Sequence, residues 1–300
     1  MKAVSKIIFL NDDGEKFFGE GPARLLRGID ETGSLRAAAI SMGMAYTKAL
    51  RLMKQAEDAL GFSLITRTTG GKAGGGSVLT PEGRRWLQQY EAYRDACIKA
   101  NQELYLRHFP KLGCVIMASG LSKRFGSNKL MADFCGKPMI RRALDSTEGL
   151  FFRRVVVTRH ESVARLCKEQ NVECILHDLP HRSDTVRLGL EALGDLDGCM
   201  FLPGDQPLLR RETVAMLLES WKQSPKQIIR PIHEDTVGSP VLFPAWAFPE
   251  LLNLPEGKGG GVVMKKYPGA VLDVSVSDPF ELADADTPES LEILRGLCHD

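Results

Sequence analysis

One stretch of the sequence combines residue types that suit phosphate chemistry. It runs over residues 118–129 as Ala118-Ser119-Gly120-Leu121-Ser122-Lys123-Arg124-Phe125-Gly126-Ser127-Asn128-Lys129. An apolar run at 114–117 precedes it and has the composition of a buried strand. Glycines let a backbone turn tightly and approach a ligand closely. The amides of such a turn form an anion-binding concavity, and Arg124 and Lys129 add two positive charges. The stretch therefore predicts a loop that binds a nucleoside triphosphate, with pyrophosphate as the leaving half.

The loop alone is also compatible with a plain Gly/Ser turn that carries two solvated cations. It is not a Walker A loop, because no Gly-Lys-Ser/Thr closes it. Its continuation into Gly136-Lys137-Pro138 is more specific. The whole string resembles the signature of the MocA/MobA-like nucleotidyltransferases that mature molybdenum cofactor (A-[AG]-G-x-S-x-R-[MF]-G-x-x-K, then G-x-P). This resemblance implies nucleotide binding by the following residues: Ala118, Ser119, Gly120, Ser122, Arg124 and Lys129.

A carboxylate follows a second predicted strand, at Pro203-Gly204-Asp205-Gln206-Pro207. An aspartate at the end of a buried strand suits Mg²⁺, which prefers one or two carboxylates with phosphate oxygens and water. The alternative is a turn aspartate that caps the helix beginning near Arg210. In related nucleotidyltransferases an Asp or Asn near the C-terminus also reaches the metal, which makes Asp284 and Asp286 further candidates. Arg124, Lys129 and Asp205 are the predicted catalytic residues.

The choice of nucleotide rests on short strings. The sequence Gly-Asp-Gln-Pro at 204–207 resembles the cytidylyltransferase branch, as does Gly238-Ser239-Pro240-Val241-Leu242-Phe243, a segment that borders the pterin site in that branch. Ser183 lies where the family has a serine-rich segment. The resemblance thus implies CTP, with GTP as the alternative, and a molybdopterin second substrate near Ser183, Gly238 and Pro240.

From residue 113 onward strand and helix patterns alternate. Strands are predicted at 114–117, 155–157, 172–176, 199–202, 228–232 and 271–276, and helices at 139–144, 163–170, 185–193 and 212–222. This alternation is typical of a Rossmann-like α/β domain with a mostly parallel sheet. Ligands of such sheets bind beyond the carboxyl ends of the strands. The phosphate loop and Asp205 should both lie at that edge.

The first hundred residues predict a helix-turn-helix. A short helix at 35–40, capped by Ser34, and a longer helix at 46–60 flank a turn at Gly43. Residues at the start of the second helix would enter a DNA major groove: Tyr46, Thr47, Lys48 and Arg51. Two strands around a glycine-rich tip at 70–76 predict a wing, from which Arg67 and Lys72 would contact DNA. A three-helix domain that binds protein is the alternative.

The glycine and alanine pattern of this region closely resembles the N-terminal domain of the molybdate-responsive ModE family. The strings that carry the resemblance are Gly19-x-Gly21-Pro22-Ala23-Arg24-Leu25-Leu26, Thr32-Gly33-Ser34, Gly43-Met44-x-Tyr46 and Leu79-Thr80-Pro81-x-Gly83. The resemblance implies a LysR-type winged helix-turn-helix. A mostly helical segment at 81–109 would pair two subunits into a homodimer, or would instead cap its own domain.

Charge is divided unevenly between the two halves. Residues 1–109 hold 16 Lys and Arg against 12 Asp and Glu, while the remainder holds 23 against 26. A basic N-terminal half fits nucleic acid. Seven cysteines without a Cys-x-x-Cys pair fit free thiols in a reducing cytoplasm, and no apolar run is long enough for a membrane span.

These observations predict two domains, 1–109 and 110–300. We expect a Mg²⁺-dependent molybdenum cofactor cytidylyltransferase in the cytoplasm, fused to a domain that binds a DNA operator. Two alternatives stay open at this point: a guanylyltransferase of the same family, or a transcriptional regulator whose transferase-like domain senses a nucleotide or the cofactor.

Overall fold

The computed structural model describes residues 3–68 and 76–298 of the 300-residue chain. The chain divides into two compact units, Met1–Tyr105 and Leu106–Asp300. Among the described residues, no helix combines the length and the apolar character that a membrane span requires.

The first unit is a helical domain with two short hairpins. In chain order its elements are β1 (Ile8–Leu10), β2 (Lys16–Gly19), α1 (Glu20–Thr32), α2 (Leu35–Ser41), α3 (Tyr46–Leu60), β3 (Ile65–Thr68), β4 (Gly76–Leu79) and α4 (Pro81–His108), whose last residues belong to the second unit. Strands β3 and β4 pair antiparallel and form the predicted wing. The helix-turn-helix and the long helix are where the sequence predicted them, whereas β2 was not predicted.

Small residues let the helices of this unit pack closely. The predicted cap of α2 is present, since Ser34 Oγ accepts a hydrogen bond from Ala37 N at 3.3 Å. A Cβ added at Gly28 would lie 2.7 Å from the Cβ of Ala38. Such a short approach requires glycine, because real Cβ atoms do not come that near to one another. Phe18, fully buried, fills the space behind the helices.

The second unit is an α/β domain. Its strands are β5 (Leu112–Ala118), β6 (Asp133–Phe134), β7 (Lys137–Pro138), β8 (Arg153–Thr158), β9 (Glu173–Leu176), β10 (Gly198–Pro203), β11 (Ile228–His233), β12 (Thr236–Val237), β13 (Val241–Pro244) and β14 (Val271–Ser275). Its helices are α5 (Met139–Thr147), α6 (Glu161–Glu169), α7 (Arg182–Leu193), α8 (Arg211–Gln223), α9 (Phe248–Leu252), α10 (Gly261–Lys266) and α11 (Pro288–Arg295).

Eight of these strands form one sheet in the order β12-β11-β13-β10-β5-β8-β9, with β14 beside β11. Strands β10, β5, β8 and β9 are mutually parallel, and β13 joins β10 antiparallel. The mostly parallel sheet predicted from the sequence is therefore confirmed. Because the four parallel strands are neighbours, the loops after Ala118, Thr158, Leu176 and Pro203 meet at one edge of the sheet.

Strand alternation divides the core into two layers. Cys114 and Ile116 point toward a cluster with α5, α6, α8 and α11, whereas Val115 and Cys199 point toward a cluster with α7, α9 and α10. Cys114 and Cys199 are both fully buried, as expected for core thiols. Helices on both faces cover the sheet and leave its carboxyl edge open to ligands.

Candidate active site and nucleic-acid interface

Lys129 is the centre of the charged cluster at the carboxyl edge of the sheet. It begins a short 3-10 helix at Lys129–Met131, and its side chain is only 8% exposed. Its Nζ lies 2.6 Å from Asp205 Oδ2 and 2.8 Å from Asp286 Oδ1. Arg124, whose side chain is 76% exposed, contacts Asp286 more loosely at 3.5 Å. The cations of the loop after β5 and the aspartate after β10 thus meet in one site.

The pKa values of Asp284 and Asp286 are shifted in opposite directions. Burial lowers the pKa of Lys129, but contacts with Asp205 and Asp286 outweigh it, so the pKa is raised overall and the ammonium stays charged. The hydrogen bond from Lys129 is the main cause of the lowered pKa of Asp286. Asp284 keeps some solvent exposure, yet crowding by protein atoms and then the nearby Asp205 carboxylate raise its pKa. Two aspartates two residues apart therefore experience opposite environments.

The loop between β5 and Lys129 presents backbone donors. The amides of Gly120, Leu121 and Lys123 donate to no residue in the described part of the chain. Ser122 has a positive φ of 50°, and its side-chain Oγ accepts from Lys129 N at 3.3 Å. This contact folds the loop back on itself. Unbonded amides in a glycine-containing turn are suited to phosphate oxygens.

Two histidines to which the sequence analysis assigned no function form hydrogen bonds with this loop. His177, after β9, lies with Nε2 2.8 Å from Ser119 Oγ, and that hydroxyl donates to the carbonyl of Val157 at 3.0 Å. A hydroxyl has one hydrogen, so His177 must donate to Ser119. His160, after β8, places Nε2 2.8 Å from the carbonyl of Gly120. Burial and the nearby Arg159 lower the pKa of His177, which keeps its ring neutral.

A pocket of ≈ 620 Å³ opens above these groups, and we call it the phosphate pocket. The predicted residues that line it are Ser119, Gly120, Ser122, Arg124, Lys129, Asp205, Asp284 and Asp286. Ala118, by contrast, is 1% exposed at the end of β5 and is not among the lining residues. The structure thus brings together all but one of the residues predicted for nucleotide and metal.

A smaller pocket of ≈ 130 Å³ adjoins the first, and we call it the apolar pocket. Its walls include Val186, Phe201, Val241 and Phe243. Of the residues predicted for the second substrate, Gly238 lines it. Ser183 and Pro240 are buried instead and line neither of the two pockets as described.

The donor set of the phosphate pocket fits a metal that arrives with its nucleotide. Among the described residues, no three His, Cys, Asp or Glu side chains surround a point where a metal could be held. Asp205 is nevertheless partly exposed, at 22%, beside the unbonded loop amides. Mg²⁺ commonly takes one or two carboxylates and completes its shell with phosphate oxygens and water. Asp205, with Asp284 or Asp286, matches that requirement.

The first unit presents a separate polar surface at the start of α3. The four residues predicted to enter a major groove are all exposed there: Tyr46, Thr47, Lys48 and Arg51. Lys48 and Arg51 form no ion pair within the described ranges. Arg67, on β3 of the wing, is exposed as well, whereas Lys72 lies outside the described residues. The exposed cations are free to contact phosphate or base edges.

Comparison with known families agrees with this division. The chain belongs to the MobA-like NTP transferase domain family, whose model matches residues 114–271, more than half of its length. A second family model, bacterial regulatory helix-turn-helix protein of the lysR family, matches residues 23–84. The protein therefore joins a nucleotidyltransferase domain to a helix-turn-helix domain.

Individual relatives match one domain at a time. A probable molybdenum cofactor guanylyltransferase of Aquifex aeolicus is 28% identical over 111 residues, 37% of this chain and 54% of that protein. The molybdenum-pterin-binding protein MopB of Rhodobacter capsulatus is 41% identical over 68 residues, 23% of this chain and 25% of that protein. The chain thus spans about half or less of the length of these relatives. The crystal structure of Rv0371c from Mycobacterium tuberculosis shares the fold, with 20% identity, a TM-score of 0.56 and coverage of 62% of this chain and 98% of that one.

Proposed function

We propose that the protein is a molybdenum cofactor cytidylyltransferase fused to a DNA-binding regulatory domain. The observation that carries the proposal is the meeting of Lys129, Asp205 and Asp286 beside a loop of unbonded amides. Membership in the MobA-like family supports the reaction class. The second substrate would be a molybdopterin and the products molybdopterin cytosine dinucleotide and pyrophosphate.

The proposed reaction is one displacement at phosphorus. An oxygen of the molybdopterin phosphate attacks the α-phosphate of CTP, the Pα–O–Pβ bond breaks, and its electron pair leaves with pyrophosphate. The attacking phosphate is already ionised, so no side chain has to remove a proton. The chain's residues contribute position and charge instead: loop amides and Lys129 hold the phosphates, and Arg124 reaches the outer end of the pocket.

We assign Mg²⁺ to Asp205, with Asp284 and Asp286 as further ligands. When bound, a divalent cation neutralises charge on the phosphoryl groups as pyrophosphate leaves. The carboxylate positions and the exposure of Asp205 support this assignment. Titration of apo protein with Mg²⁺ in the presence and absence of CTP tests it, since we expect tight binding only with the nucleotide.

The choice of CTP over GTP rests on the strings at 204–207 and 238–243, whereas the Aquifex relative is named a guanylyltransferase. Pyrophosphate release with purified molybdopterin, Mg²⁺ and each nucleotide separates the two. We expect at least tenfold higher kcat/KM with CTP. The reverse preference would make the protein a guanylyltransferase, and the absence of turnover with both would remove the transferase assignment.

We further propose that the first unit binds an operator as a homodimer. The exposed Lys48 and Arg51 and the helix-turn-helix family match support DNA binding. Exposed apolar side chains on α4, namely Tyr93, Ile98 and Leu104, support pairing through that helix. A gel-shift assay on DNA from the protein's own genome, with and without CTP, tests binding, and sedimentation tests the dimer. A CTP-dependent shift without turnover would favour the nucleotide-sensing regulator.

A further inference from the structure

The phosphate pocket and the apolar pocket share part of their walls. Three residues line both of them: Met117, Arg182 and Ser239. Arg182 is the charged residue among the three. It is therefore placed where a ligand seated in the apolar pocket would turn toward a nucleotide seated in the phosphate pocket.

Two arginines around these pockets have bonded side chains, whereas Arg182 does not; Lys123 is unpaired too among the described residues, but it lines only the phosphate pocket. Arg230, in the apolar pocket, is bonded to Asp273 at 2.8 and 3.0 Å. Arg159, in the phosphate pocket, donates to the carbonyls of Asp178 and Leu179. Arg182 is exposed and bonds to no residue of the described ranges.

Neighbouring groups explain why Arg182 stays unpaired. It is the first residue of α7, and the nearest acidic side chain along the helix, Asp184, is engaged elsewhere. Asp184 accepts from His181 N at 3.1 Å and contacts Arg187 at 3.4 Å. A glycine-rich turn backs the guanidinium on its other side. A Cβ added at Gly259 would lie 3.1 Å from Arg182 Nε and 3.5 Å from its Cδ and Cζ. The bare backbone of Gly259 leaves room for the side chain.

We infer that Arg182 binds the phosphate group of the second substrate, a phosphate monoester of a pterin; this inference rests on the proposed function. Transfer requires two anions to approach each other, the attacking phosphate and the α-phosphate. Lys129 is held by two carboxylates and is assigned to the phosphates of the nucleotide, so the attacking phosphate requires another cation. A guanidinium bonds a phosphate through two parallel N–H groups and stays protonated throughout. Arg182 thus holds the attacking oxygen at the junction between the pockets.

Equilibrium binding tests this inference without turnover. The probes are molybdopterin and the same compound after phosphatase treatment, titrated into the full-length protein and followed by pterin fluorescence. We expect the wild type to bind the phosphorylated form about 10- to 100-fold more tightly, the range for hydrogen bonds to a charged group. Arg182→Ala should lose that discrimination, and Arg182→Lys should keep part of it. CTP affinity should change less than twofold in both variants.

Two further variants sharpen the test. Gly259→Ala keeps the charge but crowds the guanidinium, so it should weaken phosphate discrimination about threefold or more. Arg187→Ala is the matched control, because Arg187 lies on the same helix and is paired with Asp184 and Glu191. It should discriminate as the wild type does. Circular dichroism checks that the Gly259→Ala protein folds. If it does not fold, the comparison of Arg182→Ala with Arg182→Lys still tests the inference.

The inference is overturned if Arg182→Ala still prefers the phosphorylated probe, if the wild type binds both forms equally or neither, or if Arg182→Ala loses CTP to the same extent. A different result would refute the proposed function but not this inference. A wild type that discriminates through Arg182 but releases no pyrophosphate with CTP or GTP refutes the transferase and leaves the phosphate site in place.

Discussion

The two units present cations to phosphate in different ways. In the second unit Lys129 is 8% exposed and lies within 2.8 Å of two carboxylates. In the first unit Lys48 and Arg51 are exposed and have no acidic partner in the described ranges. The Lys129 side chain is therefore held in place before a ligand binds, whereas the side chains of Lys48 and Arg51 lose their freedom only on binding.

This difference predicts two kinds of binding. Exposed cations act additively through displaced counterions, so DNA binding should fall steadily as salt rises and should tolerate single substitutions. The buried Lys129 ammonium pairs with two carboxylates and fixes their positions. The transferase site should therefore lose most of its activity when any one of these three side chains is removed. Salt should affect nucleotide binding at the transferase site less than DNA binding, because buried charges are screened less.

The sharpest way to break this comparison is to remove one carboxylate of the buried cluster. Asp205→Asn keeps the shape but removes the charge that would hold the metal and that fixes Lys129. We expect pyrophosphate release to fall about 10²–10³-fold while the thermal unfolding transition stays cooperative. Lys129→Ala should do the same.

The matched control is Asp278→Asn, because Asp278 also pairs with an arginine, Arg210, at 2.7 Å but lies outside the phosphate pocket. It should retain wild-type turnover. Near-normal turnover in Asp205→Asn would show that this carboxylate holds no metal and that the buried cluster is structural.

The second way is to remove the exposed pair, Lys48 and Arg51, together. If each contacts one phosphate, the double alanine variant should bind DNA about 10- to 100-fold more weakly at moderate salt, and its log–log salt slope should flatten by about 2. Arg84→Ala is the control, because Asp30 already neutralises Arg84 through two 2.7 Å hydrogen bonds. Unchanged binding by the double variant would mean that α3 is not the recognition helix.

Sequence pattern was sufficient for the parts of the fold that rest on apolar runs. The central parallel strands are continuous apolar segments, and Cys114–Ile116 and Cys199–Leu202 are buried on both faces. Strand β2 was missed, because Lys16 and Gly19 flank only two aromatic residues and its antiparallel partner β1 lies across a turn. Strand β13 was missed because it is flanked by Pro240 and ends at Pro244, and proline argues against a strand inside a sheet.

Within the site, the sequence identified residues that belong to motifs and missed those that tertiary structure brings in. His177 lies 58 positions from Ser119, and their contact depends on the pairing of β8 with β9, where Thr158 lies beside Leu176. A usable signal existed, since His160 and His177 each stand just past a predicted strand at the ligand edge. Arg182 belongs to none of the motifs in the sequence analysis, and only its position in the walls of both pockets identifies it.

A smaller effect distinguishes the two aspartates beside Lys129. The raised pKa of Asp284 means that ionisation costs folding stability once the pH rises above the ordinary carboxyl value, about 4. The lowered pKa of Asp286 means that its ionised form stabilises the fold above that value, and that this stability is lost as the pH falls. At pH 7 we expect a higher Tm for Asp284→Asn and a lower Tm for Asp286→Asn.

Thermal unfolding at pH 7 and at about pH 3 measures both differences, and both should shrink at the lower pH. Asp284 is protonated there, and the advantage of ionised Asp286 is partly lost because the carboxyl of the unfolded chain takes up its proton. The apo protein is used, since a bound cation would favour ionised Asp284. Tm changes of the same sign in the two variants at pH 7 would show that Lys129 does not stabilise ionised Asp286 in preference to ionised Asp284.

The smallest expected effect concerns the start of the loop. Ser119→Ala removes the hydrogen bonds to Val157 and His177 but leaves the backbone amides that would hold phosphate. A neutral hydrogen bond contributes about 1 kcal/mol, so the KM for the nucleotide should rise only about fivefold with kcat unchanged. Ser220→Ala, which removes an exposed hydroxyl bonded to Met216 on α8, is the control. A kcat that falls a hundredfold would instead place the Ser119 hydroxyl at the reacting phosphate, and the loop would then act through its side chains as well as its backbone.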